Sequence, residues 1–373
     1  MMKIILYSFL FMANALIMQN TNLSQNQNTI KSTMNKSNTR NMLDTVGFAS
    51  KTGQMEKVIQ MIEESQGRLL KKYRAENKGT TPWKVVISPH DDYAYVGYLY
   101  PELLADVKAS TVLLFGVCHK ATLFGMENKI IFDGFKQWKV ANGLVAVSPL
   151  RDELIAEMPK DLYLINDTVQ SAEHSVEAIV PWLKQFNKNV RIISVLVPYM
   201  NFERMKAIAK HLSDAISKVI KKHEFAWGKD FAIIISSDAA HYGDSAWGGK
   251  NYAFCGTGKT GYQKALIHEH EIIDKCLTKV ISPQKIEKFT KYTVKEEDFK
   301  DYKWTWCGRY SIPFGLLTAY YLGEQTVNKL KGRLAGYSTS LENEPLNVKP
   351  IGMGTTAPAT LRHWVGYAAI GYR

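Results

Sequence analysis

The chain has 373 residues, 46% hydrophobic and 22% charged, a balance that excludes a disordered chain, a collagen-like repeat and a disulfide-stapled miniprotein. Its 47 Lys and Arg against 35 Asp and Glu leave a formal net charge of +12, which raises nucleic acid or an anionic surface as a partner. No nucleic-acid-binding signature and no dense basic helix with interleaved aromatics accompanies it. The excess therefore reads as a solvated, Lys-rich surface, and no nucleic-acid partner is expected.

The N-terminus opens Met1-Met2-Lys3 and continues as an apolar run, Ile4–Met18. At 15 residues that run is too short for a stable membrane span, which needs roughly 20. It fits the apolar region of a signal peptide, with Ala13-Asn14-Ala15 as a small-x-small cleavage pattern. The other reading is an apolar N-terminal segment packed on the body. Export to a periplasm or beyond follows from the first reading, a cytoplasmic protein from the second. Residues 19–43 are mostly Asn, Gln, Ser, Thr and Lys, so they are expected to form a disordered linker. Residues 44–373 then make one α/β domain of about 330 residues without internal repeats.

Within that domain, strand-like runs occur at Lys84–Ser88, Thr111–Gly116, Ile130–Phe132, Val190–Val197, Phe231–Ser236, Leu334–Tyr337 and Trp364–Gly371. Several are continuously apolar, as strands covered on both faces are. Helical periodicity marks Gln54–Glu76, Glu173–Phe186, Asn201–His223, Lys264–Lys275 and Gly308–Leu322. The alternation predicts a single three-layer α/β domain, with a largely parallel central sheet flanked by helices. In such sheets ligands gather just past the carboxyl ends of the strands.

Three apolar strands run directly into a histidine: KVVISPH ends at His90, TVLLFGVCH at His119, and FAIIISSDAAH supplies Asp238 and His241. A lone histidine after a strand is usually a packing or capping residue. Three such strand ends among nine histidines make a candidate cluster of imidazoles and one carboxylate, a ligand set suited to Zn, Cu, Fe or Ni. No HExxH or CxxC spacing is present. Of the four cysteines, Cys276 lies in a helical pattern and reads as core. Cys118 and Cys255 are open to disulfide pairing if the protein is exported. Cys307 precedes the apolar helix SIPFGLLTAYYL, where the helix dipole would favour a thiolate, although a buried structural thiol remains the alternative. Glu173-His174-Ser175-Val176-Glu177 opens a helical pattern through Pro181 and Trp182. Either its acids simply favour a helix N-terminus, or His174 and Glu177 face the cleft at the strand ends. The GTGKT stretch at 256–260 lacks both the spacing and the preceding strand of a phosphate loop, so no nucleotide cofactor is expected. Likewise Ser236-Ser237-Asp238 with His241 lacks the GxSxG elbow of a serine hydrolase.

These motifs, in this order, resemble the Memo family, also labelled AmmeMemoRadiSam system protein B. The resemblance is carried by SPHDDYAYVG (His90, Tyr93, Tyr95, Gly97), by Gly116-Val117-Cys118-His119-Lys120 and by Glu173–Leu183. It continues through Ser236–Gly243, Cys307-Gly308-Arg309 and the closing Val365–Ala369, and so spans about residues 80–373. It implies a fold similar to the LigB-type class III extradiol dioxygenases and one iron or copper ion per chain, held by His90, His119 and Cys307. Asp238, His241 and His174 would stand beside the metal as acid/base or supporting groups. A functional link to a radical-SAM protein is also implied. The chain departs from the family pattern in two places. Val117-Cys118 and Lys120 stand where Pro-Ser and a second histidine are usual, so that Lys120 would favour an anionic ligand. Asp91-Asp92 replace an Ala-Gly and push the other way.

The implied chemistry is redox or dioxygenase-like, with His241 moving protons under the steering of Asp238. Ring-cleaving enzymes of the LigB type use a carboxylate where this chain would place Cys307, which argues against ring cleavage in particular. The alternative is a non-catalytic module that uses the same cleft for a peptide, a small molecule or a small anion. Tyr93, Tyr95, Trp304 and Trp306 either line that cleft or belong to the core.

Overall fold

The computed structural model describes residues 38–76, 81–245, 250–327 and 329–373. The apolar run expected to be a signal (1–18) and residues 19–37 of the expected linker lie outside the described residues. No described helix is long and apolar enough to cross a membrane. Among the described residues thirteen strands join one sheet: β1 (Thr39–Arg40), β2 (Val85–Ser88), β3 (Thr111–Val117), β4 (Ile130–Phe132), β5 (Gln137–Val140), β6 (Gly143–Val147), β7 (Tyr163–Ile165), β8 (Arg191–Val197), β9 (Phe231–Ser236), β10 (His241–Gly243), β11 (Lys279–Val280), β12 (Lys331–Thr339) and β13 (His363–Tyr372). Their order is β1-β5-β6-β8-β3-β9-β2-β13-β12-β11, with β4 against β7 and β8, and β10 against β13. The run β6-β8-β3-β9-β2 is parallel, and β13, β12 and β11 extend it antiparallel.

Successive side chains of a strand point to opposite faces, so a strand that is apolar at every position needs cover on both. Leu113 and Phe115 of β3, Ile193 of β8 and Ile233 of β9 pack under helices Phe202–Lys222 and Ser311–Thr326. Their neighbours Val112, Leu114, Ile192 and Ile234 face the other way, onto helices Gln54–Glu76, Leu99–Leu104 and Val180–Phe186. The chain is therefore the helix–sheet–helix α/β domain that the alternation predicts.

Two readings of the sequence are corrected. Residues 173–174 are irregular and 175–179 form turns, and the helix occupies only Val180–Phe186, with Pro181 in its first turn. Proline lacks the N–H an interior helical position must donate and disfavours helical backbone just before it, so the helix starts there. The body also begins at Thr39 rather than at residue 44. β1 pairs in parallel with β5, and Arg40 is buried with its guanidinium paired to the wholly buried Glu177. Arg40 Nε also donates to the Gln170 carbonyl (3.1 Å), and the guanidinium stacks over Trp138. Glu177 in turn accepts the backbone N–H groups of Leu43 (2.9 Å) and Asp44 (2.8 Å). A composition rule misses this because one buried ion pair, not apolar area, holds the segment.

Breaking a buried pair from one side leaves an uncompensated charge, at about 3–5 kcal/mol. Arg40→Ala is expected to lower the unfolding free energy by that amount in urea denaturation. A chain starting at residue 44 is expected to lose stability likewise, measured against one starting at residue 38.

Candidate metal centre

β2, β3 and β9 run parallel with Ser88 opposite Ser236 and Phe115 opposite Ile235, so their carboxyl ends lie side by side. The chain leaves β2 into His90, β3 into His119 and β9 into Asp238 and His241. Cys307 arrives from the loop before helix Ser311–Thr326. Gly308 permits that arrival, because a Cβ there would stand 2.2 Å from Ser237 Oγ. One ligand atom each from His90, His119 and Cys307 lie within 4.8 Å of one another, and so do those of Asp238, His241 and Cys307.

Each histidine is oriented from behind. The Ser236 hydroxyl donates to the Ser175 carbonyl (2.6 Å), so it accepts from His90 Nδ1–H (2.7 Å), leaving Nε2 toward Cys307 Sγ at 3.6 Å. His119 Nδ1–H donates to Glu173 Oε1 (2.8 Å), which leaves its Nε2 as the free ring nitrogen. Glu173 also accepts the backbone N–H of His119 (2.7 Å), His174 (2.9 Å) and Ser175 (3.0 Å). Burial would raise the Glu173 carboxyl, but the His119 charge and these donors hold it well below the usual carboxylate range. Across the same contact, burial pulls the His119 imidazole down while Glu173 and Cys307 push it up to about 10. His174 stacks on the His119 ring, with centroids 4.7 Å apart and planes at 11°. Burial and the charge on His119 lower it to about 3.

Cys307 Sγ accepts the Asp238 backbone N–H at 3.1 Å. Burial would raise the thiol, but His90, His119 and His241 together draw it well below its ordinary value. The helix dipole invoked from sequence is not the cause, since the helix starts only at Ser311. Asp238 is held near 2 because His90 and His241 outweigh its burial. Its Oδ1 accepts the His90 backbone N–H (2.8 Å), and its Oδ2 stands 3.6 Å from His241 Nε2. That Nε2 is buried and makes no hydrogen bond. It is an orphaned buried nitrogen, and although burial opposes the charge, Asp238 and Cys307 raise the His241 imidazole well above its ordinary value. Ligand atoms around a metal with bonds of about 2.0–2.3 Å stand roughly 3–4 Å apart. The 3.6 Å His90–Cys307 spacing, the back-bonded Nδ1 atoms and the orphaned His241 therefore fit a metal with soft ligands.

The cleft above these groups has a volume of about 510 Å³, and Asp91, Tyr95, His174, Val46, Pro358 and Trp364 are among its walls. Other expectations fail here. Glu177 is turned away to clasp Arg40, and Lys120 is not among the lining residues. Tyr93, Trp304 and Trp306 are core, leaving Tyr95 of the four on the cleft. All four cysteines are free thiols, and burial pushes the Cys118 thiol up to about 12. Sequence reasoning missed Glu173 as the group that orients His119. The signal was available, in a carboxylate directly before His174 and Ser175 at the head of a turn.

An α/β sheet whose carboxyl edge gathers two imidazoles, a thiolate and an Asp–His pair defines a protein with a metal-competent cleft. Residues 53–355 match the family model described as "Memo-like protein", and the chain belongs to that family. It is 29% identical over 164 residues to a MEMO1 family protein of Methanothermobacter thermautotrophicus, covering 43% of this chain and 54% of that one. A MEMO1 family protein of Saccharolobus solfataricus is 29% identical over 163 residues, covering 42% and 52%. The aligned stretch thus spans about half the length of these relatives.

In the metal-free protein, imidazole NMR is expected to show His174 neutral throughout about pH 5–8, while His119 stays charged until pH approaches about 10. Glu173→Gln removes the anion that raises His119 and is expected to bring its titration down toward 6.5. An unmoved His119 would show that Glu173 does not set its charge.

Proposed function

We propose that the cleft holds one iron or copper ion per chain on His90 Nε2, His119 Nε2 and Cys307 Sγ, and serves redox or dioxygenase-like chemistry on a small-molecule ligand. The observation that supports this reading is the convergence of those three ligand atoms within 4.8 Å, with each imidazole already anchored through its other nitrogen. A thiolate beside two imidazoles favours Cu(I) or iron over Mg or Ca. When bound, the metal supplies open coordination positions and a redox couple.

The protein's own groups supply the rest. Asp238 steers His241, whose buried Nε2 holds a proton where a ligand enters and can pass it on. His174, neutral and stacked on His119, offers a second hydrogen-bond partner on the cleft wall. Val46, Pro358 and Trp364 form an apolar wall that excludes water from a ligand seated against the metal.

The purified protein is expected to carry one equivalent of iron or copper by mass spectrometry, and His90→Ala and Cys307→Ala to lose it. Unchanged metal content in both variants would overturn the assignment. With Fe(II) restored, oxygen uptake across a panel of catechols and related small molecules, abolished by His241→Ala, is the expected sign of catalysis. Metal retention without uptake under any condition would instead favour a binding module for a peptide or small anion.

A further inference from the structure

Glu269 takes no part in the proposed chemistry, yet it is wholly buried on helix Gly258–Ile272. Four uncharged donors converge on its carboxyl group. Oε1 accepts the indole N–H groups of Trp304 and Trp306, the latter at 2.6 Å. Oε2 accepts the Ala240 backbone N–H at 3.0 Å and the Tyr337 hydroxyl at 3.3 Å. Desolvating a carboxyl group is unfavourable, and an apolar side chain would pack there without that penalty. It would, however, leave two indoles and a backbone amide buried without an acceptor.

The donors belong to the two segments that carry the site. Trp306 directly precedes Cys307, and Ala240 lies between Asp238 and His241. These segments pair antiparallel at Ala240 and Trp306. The His241 N–H donates to the Thr305 carbonyl (3.0 Å), and Thr305 Oγ1 donates to the His241 carbonyl (2.8 Å). Just beyond this junction, Cys307 Sγ accepts the Asp238 N–H and stands against His90. One carboxyl group thus sets the spacing between the loop that brings the thiolate and the loop that brings the Asp–His pair.

We propose that Glu269 is a positioning residue for the metal centre: it locks the Trp304–Cys307 segment onto the Asp238–His241 segment and so sets where the Cys307 sulfur and the His241 ring stand relative to His90 and His119. This rests on the metal reading above. Ligand bonds tolerate only a few tenths of an ångström, so a slip at the junction registers at the metal even when the fold survives.

The experiment titrates Co(II) into the full chain and follows the thiolate-to-cobalt charge-transfer band. Glu269→Gln, a near-isostere with one acceptor fewer, is expected to bind Co(II) roughly 10- to 100-fold more weakly and to shift the band, while circular dichroism still reports a folded protein. Leu212→Ala, a core truncation in helix Phe202–Lys222 that touches none of the Glu269 hydrogen bonds, is the control, expected to lower the melting temperature but leave the band unmoved. Should Glu269→Gln fail to fold, Trp304→Phe removes a single donor and is expected to give a smaller shift in the same direction. A native band and native affinity in a folded Glu269→Gln protein would overturn the proposal and leave Glu269 as a structural clasp. If the unsubstituted protein binds no Co(II), the metal reading fails, and positioning is then read from site-resolved alkylation of Cys307 by iodoacetamide. A several-fold rise in its rate in Glu269→Gln, absent in Leu212→Ala, supports the proposal, and an unchanged rate overturns it.

Discussion

The site depends on one hydrogen-bonded register. β9 lies between β2 and β3, parallel to both, with Ser88 opposite Ser236 and Phe115 opposite Ile235. Parallel pairing forces carboxyl ends to one edge, and with this register three chains leave the sheet within a few ångströms of each other. His90, His119 and the Asp238–His241 pair are therefore neighbours because their strands are. A slip of one residue would reverse every side chain of a strand between the two apolar layers, so core packing enforces the same register that builds the site.

Around that edge, buried carboxylates do the fastening. Glu173 holds His119 and the turn that carries His174, and Glu177 holds the N-terminal segment through Arg40. Asp238 holds the His90 backbone and faces His241. Each is taken out of water, which is unfavourable: Glu173 and Glu177 are offset by several donors, Asp238 by the His90 backbone N–H and the charges of His90 and His241. The arrangement also divides the charge. His119 is driven up by the carboxylate at its back and the thiol before it, while His174, stacked on it, is driven down. Two adjacent imidazoles thereby acquire different protonation states in one cleft.

The strands were legible because their residues need cover on both faces, and Ile130–Phe132 and Phe231–Ser236 fall where the apolar runs place them. The β5–β6 hairpin escaped notice, although Asn142-Gly143 between two alternating runs is a turn signal with a known cause. β1 was hidden for a different reason. Its two residues sit in a polar stretch, and what orders them is Arg40 reaching a carboxylate 137 positions away. The helix expected from residue 173 shrank to Val180–Phe186, because the Glu173 side chain caps its own turn and Pro181 sets the start.

What the sequence by itself determined was the alternation of strands and helices and the placing of a histidine or an Asp–His pair just after three of the strands. Both are local properties, apolar runs and their immediate neighbours, and local properties survive in a one-dimensional string. Only the tertiary structure decided that Cys307 meets His90, that Glu173 rather than Glu177 serves the site, and that Arg40 belongs to the body. Each depends on groups far apart in the chain being brought within hydrogen-bonding distance, and the register of a packed sheet, not the order of residues, sets that distance.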